Sequence, residues 1–358
     1  MMNVYKSENI LHSDILMLRR RVGRMRIKYM DYTKGLAIIL MIFGHTMTKI
    51  DNLHLWIYSF HMPLFFIVSG MLMQLNCEKN KKNDINKICK KIISIAIPYY
   101  FFGTLLIFFY TLLNILSHHD IDFYSRMFSL LTLQGIDSLW FLPIYLFTYI
   151  VMAAVNNFGK NKDRLSFLLF IIAVLVVIFA SSLMITWYSK LLYKFLIAFT
   201  FCEIGVLIKK YKLIDKIKLP SALILFVIGS FCSIYNGDVE MSVNHLGNPF
   251  IYYFTATSLT TSIIYFMHVI ENKSFEIIDF LMIFGRSSIV LLVTNNLIIE
   301  TIRLIDFKIC NNLLIKLGLF GSLLFTLIIL IIEWNLIKFA NGPLGVLFGK
   351  INVVNNRG

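Results

Sequence analysis

Acidic side chains are scarce in this chain. Twenty Asp and Glu stand against 34 Lys and Arg in 358 residues, and charged residues of both signs make up only 15%. Soluble domains carry about 25% charged residues, so the chain is too poor in charge to be wetted all round. Cysteine is sparse too. Cys77, Cys89, Cys202, Cys232 and Cys310 are scattered, with no CxxC pair, which gives neither a disulfide framework nor a zinc site. There is no low-complexity segment and no repeat of fixed period, and no soluble-domain-sized stretch lies at either end. Residues 1–29 are polar and basic, without an apolar h-region or small-residue cleavage site. The first apolar run is therefore expected to act as an uncleaved anchor.

What is abundant is hydrocarbon. Hydrophobic residues make up 58% of the chain and mean hydropathy is +0.74, against about 45–50% apolar in soluble domains. Segments of about 20 apolar residues span a bilayer. They predict an all-α polytopic bundle of about ten transmembrane helices, near 30–48, 54–75, 92–116, 138–157, 164–183, 187–208, 220–235, 249–270, 277–300 and 313–337. The net charge of +14 does not read as a nucleic-acid face, because the cations lie in short runs between apolar segments. With the N-terminus inside, 25 of the 34 Lys and Arg fall on one side, whereas Lys49, Arg126, Lys190, Lys194, Arg303 and Lys308 fall on the other. This bias predicts that both termini are cytoplasmic. The chain then divides into a basic segment 1–29, a membrane domain 30–338 and a tail 339–358. The two longer outer loops, 117–137 and 236–248, are polar.

The polar residues of the first two helices carry the chemistry. Ionisable groups within hydrocarbon-length segments are costly and read by default as functional. Asp31, Lys34 and His45 lie on the first helix. An eleven-residue separation is about 1100° of helical rotation, so Lys34 and His45 share a stripe, about 16 Å apart along the axis. Asp31 is one turn from Lys34, a spacing that suits an ion pair. His45 is a candidate general base, or else a packing histidine hydrogen-bonded between helices. On the second helix His61 precedes Pro63 by two residues. A helix-interior proline frees a carbonyl, and satisfying that group is the structural alternative to catalysis for His61. Ser69 and Gly70 suit close helix packing.

Five pieces in order, MDYTKGLAIILMIFGH, IYSFHMPLFFIVSG, KICKKIISIAIPYYFFG, LWFLPIYL and FGRSSIVLLVTNN, resemble the acyltransferase-3 family of multi-span membrane O-acyltransferases, in particular its fucose 4-O-acetylase-like branch. The resemblance implies a ten-helix acyltransferase domain in a bacterial plasma membrane, with transfer of an acyl group, typically acetyl from cytoplasmic acetyl-CoA, to a hydroxyl of a carbohydrate or glycan of the cell envelope. It implies His45 as general base, or as carrier of the acyl group. It also implies a cation eleven residues earlier, where this chain has Lys34 in place of the family's Arg. Lys90 and Lys91 correspond to a basic element after the second helix and would attract CoA phosphates, with Asp31 holding Lys34. Gly285 and Ser288 match a late motif in which Asn295 stands where many members have His.

Other positions carry alternatives. Trp140 and Tyr145 form either a sugar-stacking platform or an interfacial aromatic belt. Arg286 either binds CoA phosphate or pairs with a carboxylate such as Glu203. His118, His119, Asp120 and Asp122 lack clear metal-site spacing, and no metal is expected. A transporter or flippase would also suit buried charges and a proline kink, although the paired broken helices of two related halves are not visible. An inactive relative that binds acyl-CoA is a third reading, motivated by Lys34 and Asn295.

Overall fold

A computed structural model describes residues 27–47, 49–79, 85–116, 122–180, 186–271, 273 and 276–350. The basic segment is almost wholly outside that range. The described residues form helices, with no strand beyond an isolated bridge between Glu240 and His245. Fifteen α-helices follow in order: α1 (Lys28–Thr46), α2 (Asn52–Tyr58), α3 (His61–Lys79), α4 (Ile85–Leu116), α5 (Phe123–Leu131), α6 (Phe141–Asn156), α7 (Lys162–Phe179), α8 (Trp187–Lys210), α9 (Leu213–Lys216), α10 (Leu219–Asn236), α11 (Pro249–Ile270), α12 (Glu276–Arg286), α13 (Ser288–Lys308), α14 (Leu313–Lys316) and α15 (Gly318–Ala340).

Among the described residues, seven stretches are long and apolar enough to cross a membrane: Asn52–Cys77, Ile85–Ile115, Asp137–Asn156, Trp187–Lys210, Leu219–Asn236, Ser288–Lys308 and Gly318–Ala340. The chain is a membrane protein, but seven is fewer than the ten expected. Helices also occupy the remaining three expected positions, as α1, α7 and α11. Asp31 and Lys34 dilute the apolar run of α1, Lys162, Asp163 and Arg164 that of α7, and hydroxyl side chains that of α11. Exposed apolar rows such as Leu223, Ile224, Val227, Ile228 and Phe231 on α10, and Leu319, Phe320, Leu323, Leu327 and Ile331 on α15, suit contact with lipid rather than water.

Two expected single helices are broken. The second splits at Ser59 and Phe60 into α2 and α3. Asp51 starts α2 by accepting the N–H groups of Leu53 and His54, both at 3.0 Å. Pro63 then falls in the first turn of α3, where a missing N–H costs nothing, instead of kinking a helix interior. The ninth breaks at Ser287, whose non-helical φ of −104° and ψ of 17° separate α12 from α13. The third runs the other way, beginning at Ile85 rather than near 92 and continuing through Pro98.

The bundle is held at points where only glycine fits. Helices α3 and α8 make the most extensive contact. A Cβ on Gly70 would lie 1.9 Å from the Cys202 carbonyl oxygen, and one on Gly205 would lie 2.0 Å from that of Ile67. The neighbouring Ser69 hydroxyl turns back to the Phe65 carbonyl of its own helix at 2.7 Å. Close backbone approach through small residues is how helices associate where no hydrophobic drive separates them from lipid. Gly70→Val should therefore lower the melting temperature in detergent by several degrees, consistent with about 1–3 kcal/mol of overpacking, while Ser69→Ala should melt like the parent protein.

Candidate functional site

Two polar clusters lie on α1, one in each half. In the N-terminal half Asp31 is buried, 4% exposed, between two cations. The Lys34 ammonium lies 3.1 Å from its Oδ1, and the Arg286 Nε donates to its Oδ2 at 3.1 Å. Arg286 is thus the partner of Asp31, not of Glu203. It reaches Asp31 because α12 lies almost against α1: a Cβ on Gly35 would meet the Leu281 carbonyl oxygen, and one on Gly285 the Asp31 carbonyl oxygen, each at 1.9 Å. An ammonium and a guanidinium share one carboxylate here, and Ser288 opens the next helix two residues beyond Arg286.

In the C-terminal half His45 lines a cavity of about 420 Å³, well within the range of small-ligand sites. Its other walls come from distant segments: Tyr110 of α4, residues 134–140 at the turn into α6, Lys194 of α8, Glu240 and Ser242 of the 236–248 loop, and Asn296, Glu300 and Arg303 of α13. A smaller recess of about 30 Å³ continues below it, where His45 meets Tyr58, His61 and Leu292.

The imidazole is held from several sides. The Tyr58 hydroxyl lies 3.3 Å from His45 Nδ1, and the Arg303 guanidinium donates to the His45 carbonyl at 2.8 Å while bonding Glu300 at 2.7 Å. The Tyr58 ring stacks on His54 at 4.0 Å and meets His61 edge-on at 5.0 Å. The Nδ1 of His61 lies 2.9 Å from the Ile57 carbonyl, so His61 satisfies a carbonyl at the break between α2 and α3. With Nδ1 of His45 facing Tyr58, no described hydrogen bond engages Nε2. An imidazole nitrogen beside a polar cavity can exchange a proton with a hydroxyl brought to it.

The cavity can grip a polyhydroxyl ligand. Asp137 accepts from the Tyr110 hydroxyl at 2.7 Å, and Glu240 accepts from Ser242. These carboxylates keep further acceptor capacity. The Lys194 ammonium stands 5.5 Å over the Trp140 ring.

The remaining sequence candidates separate. Trp140 is 8% exposed and lines the His45 cavity. Tyr145 stands apart from it, stacked on Phe141 at 5.8 Å with the Lys91 ammonium 4.9 Å over its ring. Lys90 is exposed near the start of α4. Asn295 is fully buried and accepts from Ser138 at 3.2 Å behind the cavity wall, whereas its neighbour Asn296 lines the cavity. Glu203 is buried on α8, with Ser166 hydrogen-bonded to it. His118, His119 and Asp120 lie outside the described residues, and no group of three or more His, Cys, Asp or Glu among the described residues is placed to hold a metal.

Sequence reasoning missed Tyr58, Lys194, Glu240, Asp137 and Arg303 as site residues. Their only signal was position, as polar groups at one end of the helices or in the polar loops. It also missed Glu333, a fully buried carboxylate on α15 that accepts from Thr294 at 2.7 Å.

A family model described as an acyltransferase domain matches residues 27–334, which covers both clusters. No curated protein and no solved structure matches the chain.

Removing the Asp31 charge should expose how strongly the two cations depend on it. Breaking a buried ion pair by deleting one partner costs about 3–5 kcal/mol. Asp31→Asn should therefore lower the melting temperature in detergent markedly, and adding Lys34→Met should recover part of the loss, because one of the two repelling cations is gone.

Proposed function

The chain belongs to the acyltransferase-3 family, and from that premise we propose that this membrane acyltransferase is an O-acetyltransferase. It moves an acetyl group from cytoplasmic acetyl-CoA to a hydroxyl of a carbohydrate or glycan acceptor. The observation that carries this reading is the arrangement of α1: a cationic cluster in one half, and in the other an imidazole at the floor of a polar cavity. Eleven residues separate Lys34 from His45, about 16 Å along the axis, a span similar to that of an extended pantetheine arm.

Lys34 and Arg286, with Lys90 and Lys91 at the start of α4, attract the CoA phosphates from the cytoplasmic side predicted by the basic loops. Arg286 supplies the planar fork that Lys34 lacks, since both cations rest on Asp31. The thioester is thereby directed along α1 toward His45. The acceptor enters the His45 cavity, where Asp137 and Glu240 accept from its hydroxyls and Trp140 and Lys194 form an adjoining wall.

Tyr58 acts on the orientation of His45. When Nδ1–H donates to the Tyr58 oxygen, the lone pair of Nε2 is presented to the cavity. His45 Nε2 takes the proton of the acceptor hydroxyl as its oxygen attacks the thioester carbonyl. The carbon–sulfur bond breaks, and the CoA thiolate leaves and is protonated, with the ester formed on the acceptor. Ser138 and Asn295 brace the wall that carries Trp140, and Ser288 begins the helix that carries Asn295. His61 supports Tyr58 and the helix break rather than meeting the acceptor.

Purified protein in its native-membrane lipids, given labelled acetyl-CoA and a cell-envelope extract, should transfer label to glycan. His45→Ala should lose about 10²–10⁴-fold of the rate, the usual contribution of a general base, and wild-type turnover by this variant sinks the assignment. Tyr58→Phe should lose about tenfold, equivalent to one hydrogen bond of about 1.4 kcal/mol, with the stack on His54 retained.

A further inference from the structure

A second cavity, of about 440 Å³, opens at the same end of the bundle. Its walls are the end of α1 (Thr46, Met47), the last turns of α13 (Asp306, Phe307), α14 (Leu314, Ile315) and the start of α15 (Phe325). It is the less polar of the two large cavities, and Phe307, Ile315, Leu313 and Leu319 around it are exposed apolar residues. Exposed apolar side chains of this kind suit contact with lipid rather than water.

The walls are fixed by buried polar bonds. Thr46 bonds Thr326 at 2.9 Å, and the Ser322 hydroxyl donates to the Thr46 carbonyl at 3.0 Å, tying α1 to α15. The carboxylate of Asp306, 5% exposed, accepts the Leu314 N–H at 3.2 Å. This holds α14 just after the left-handed residues Asn311 and Asn312.

Arg303 lines both cavities. Its side chain is 47% exposed, and the described bonds to Glu300 and the His45 carbonyl use two of the five N–H donors of a guanidinium. The remaining donors belong to a side chain that both cavities share as a wall. A planar guanidinium with spare donors recognises phosphate oxygens well.

We propose that the acceptor is a lipid-linked glycan joined to its carrier through phosphate. The sugar lies in the His45 cavity, the phosphate at Arg303, and the first part of the hydrocarbon tail in the second cavity, leaving between α13 and α15 toward the bilayer. The inference rests on the acyltransfer reading above and narrows its acceptor to an amphiphile delivered from the membrane. Continuity through Arg303 favours the acceptor's own tail over a bystander lipid, because a bystander would gain nothing from the adjoining sugar cavity.

The test uses native membrane vesicles containing the full-length protein, given a short pulse of acetyl-labelled acetyl-CoA and partitioned between organic solvent and water. The expected result is His45-dependent label in the organic phase, moved to the aqueous phase by mild acid that cleaves the sugar–phosphate bond. Ile315→Trp places bulk into the second cavity from a residue that is 55% exposed. It should cut the organic-phase label at least tenfold while melting within a few degrees of the parent. His45-dependent label found only in water-soluble or polymeric glycan overturns the proposal and leaves the acyltransfer reading standing. So does organic label that resists mild acid, and so does a folded Ile315→Trp variant with undiminished label. Absence of any His45-dependent label overturns the acyltransfer reading and this inference with it.

Discussion

The carboxylate of Asp31 is the constraint on which the N-terminal half of α1 and its contact with α12 depend. A buried anion in a membrane helix must be neutralised, and two cations from separate helices converge on it. That convergence requires α12 to lie so close to α1 that Gly35 and Gly285 face carbonyl oxygens. The ion cluster and the glycine contact therefore depend on each other. Any side chain at either glycine would push Arg286 away from Asp31, and loss of the Asp31 charge would leave two cations facing each other across the contact.

The His45 half is built differently. Its charged groups are spread around a cavity whose walls come from four helices and two loops. The break between α2 and α3 turns Tyr58 toward His45 and His61 toward Ile57. The 236–248 loop brings Glu240 over the cavity, held at its base by Asn236, whose amide donates to the Leu246 carbonyl and whose oxygen accepts the Asn248 N–H. Arg303 connects the backbone of His45 to the end of α13 and divides the polar cavity from the apolar one. One helix, α1, thus links the cation cluster at Asp31 to the polar cavity at His45.

Much of this was legible in the linear order of residues. The eleven-residue interval between Lys34 and His45 places both on one face of any continuous helix, because helical rotation is local. The three-residue interval between Asp31 and Lys34 makes their pairing local as well. Gly70 in the second apolar segment reads as a packing residue, and it packs as one. The helix breaks were less legible. Pro63 suggested a kink in a continuous helix, but the chain ends one helix at Tyr58 and restarts at His61, so the proline falls where it disturbs nothing. Arg286 seemed equally suited to a CoA phosphate or to Glu203, since periodicity says nothing about which helix lies alongside.

What the sequence alone determined is the class of object and the chemistry of its first helix. Hydrocarbon content, the length of apolar runs and the basic loops dictate a membrane helical bundle, because the bilayer imposes length and backbone satisfaction on every segment. What only the tertiary structure decided is which distant groups meet. The partnership of Arg286 with Asp31, the approach of Tyr58 to His45, the gathering of Glu240, Lys194 and Asp137 around one cavity, and the shared wall at Arg303 all join residues far apart in the chain. Such contacts depend on helix neighbours and on loop paths, which local periodicity does not encode.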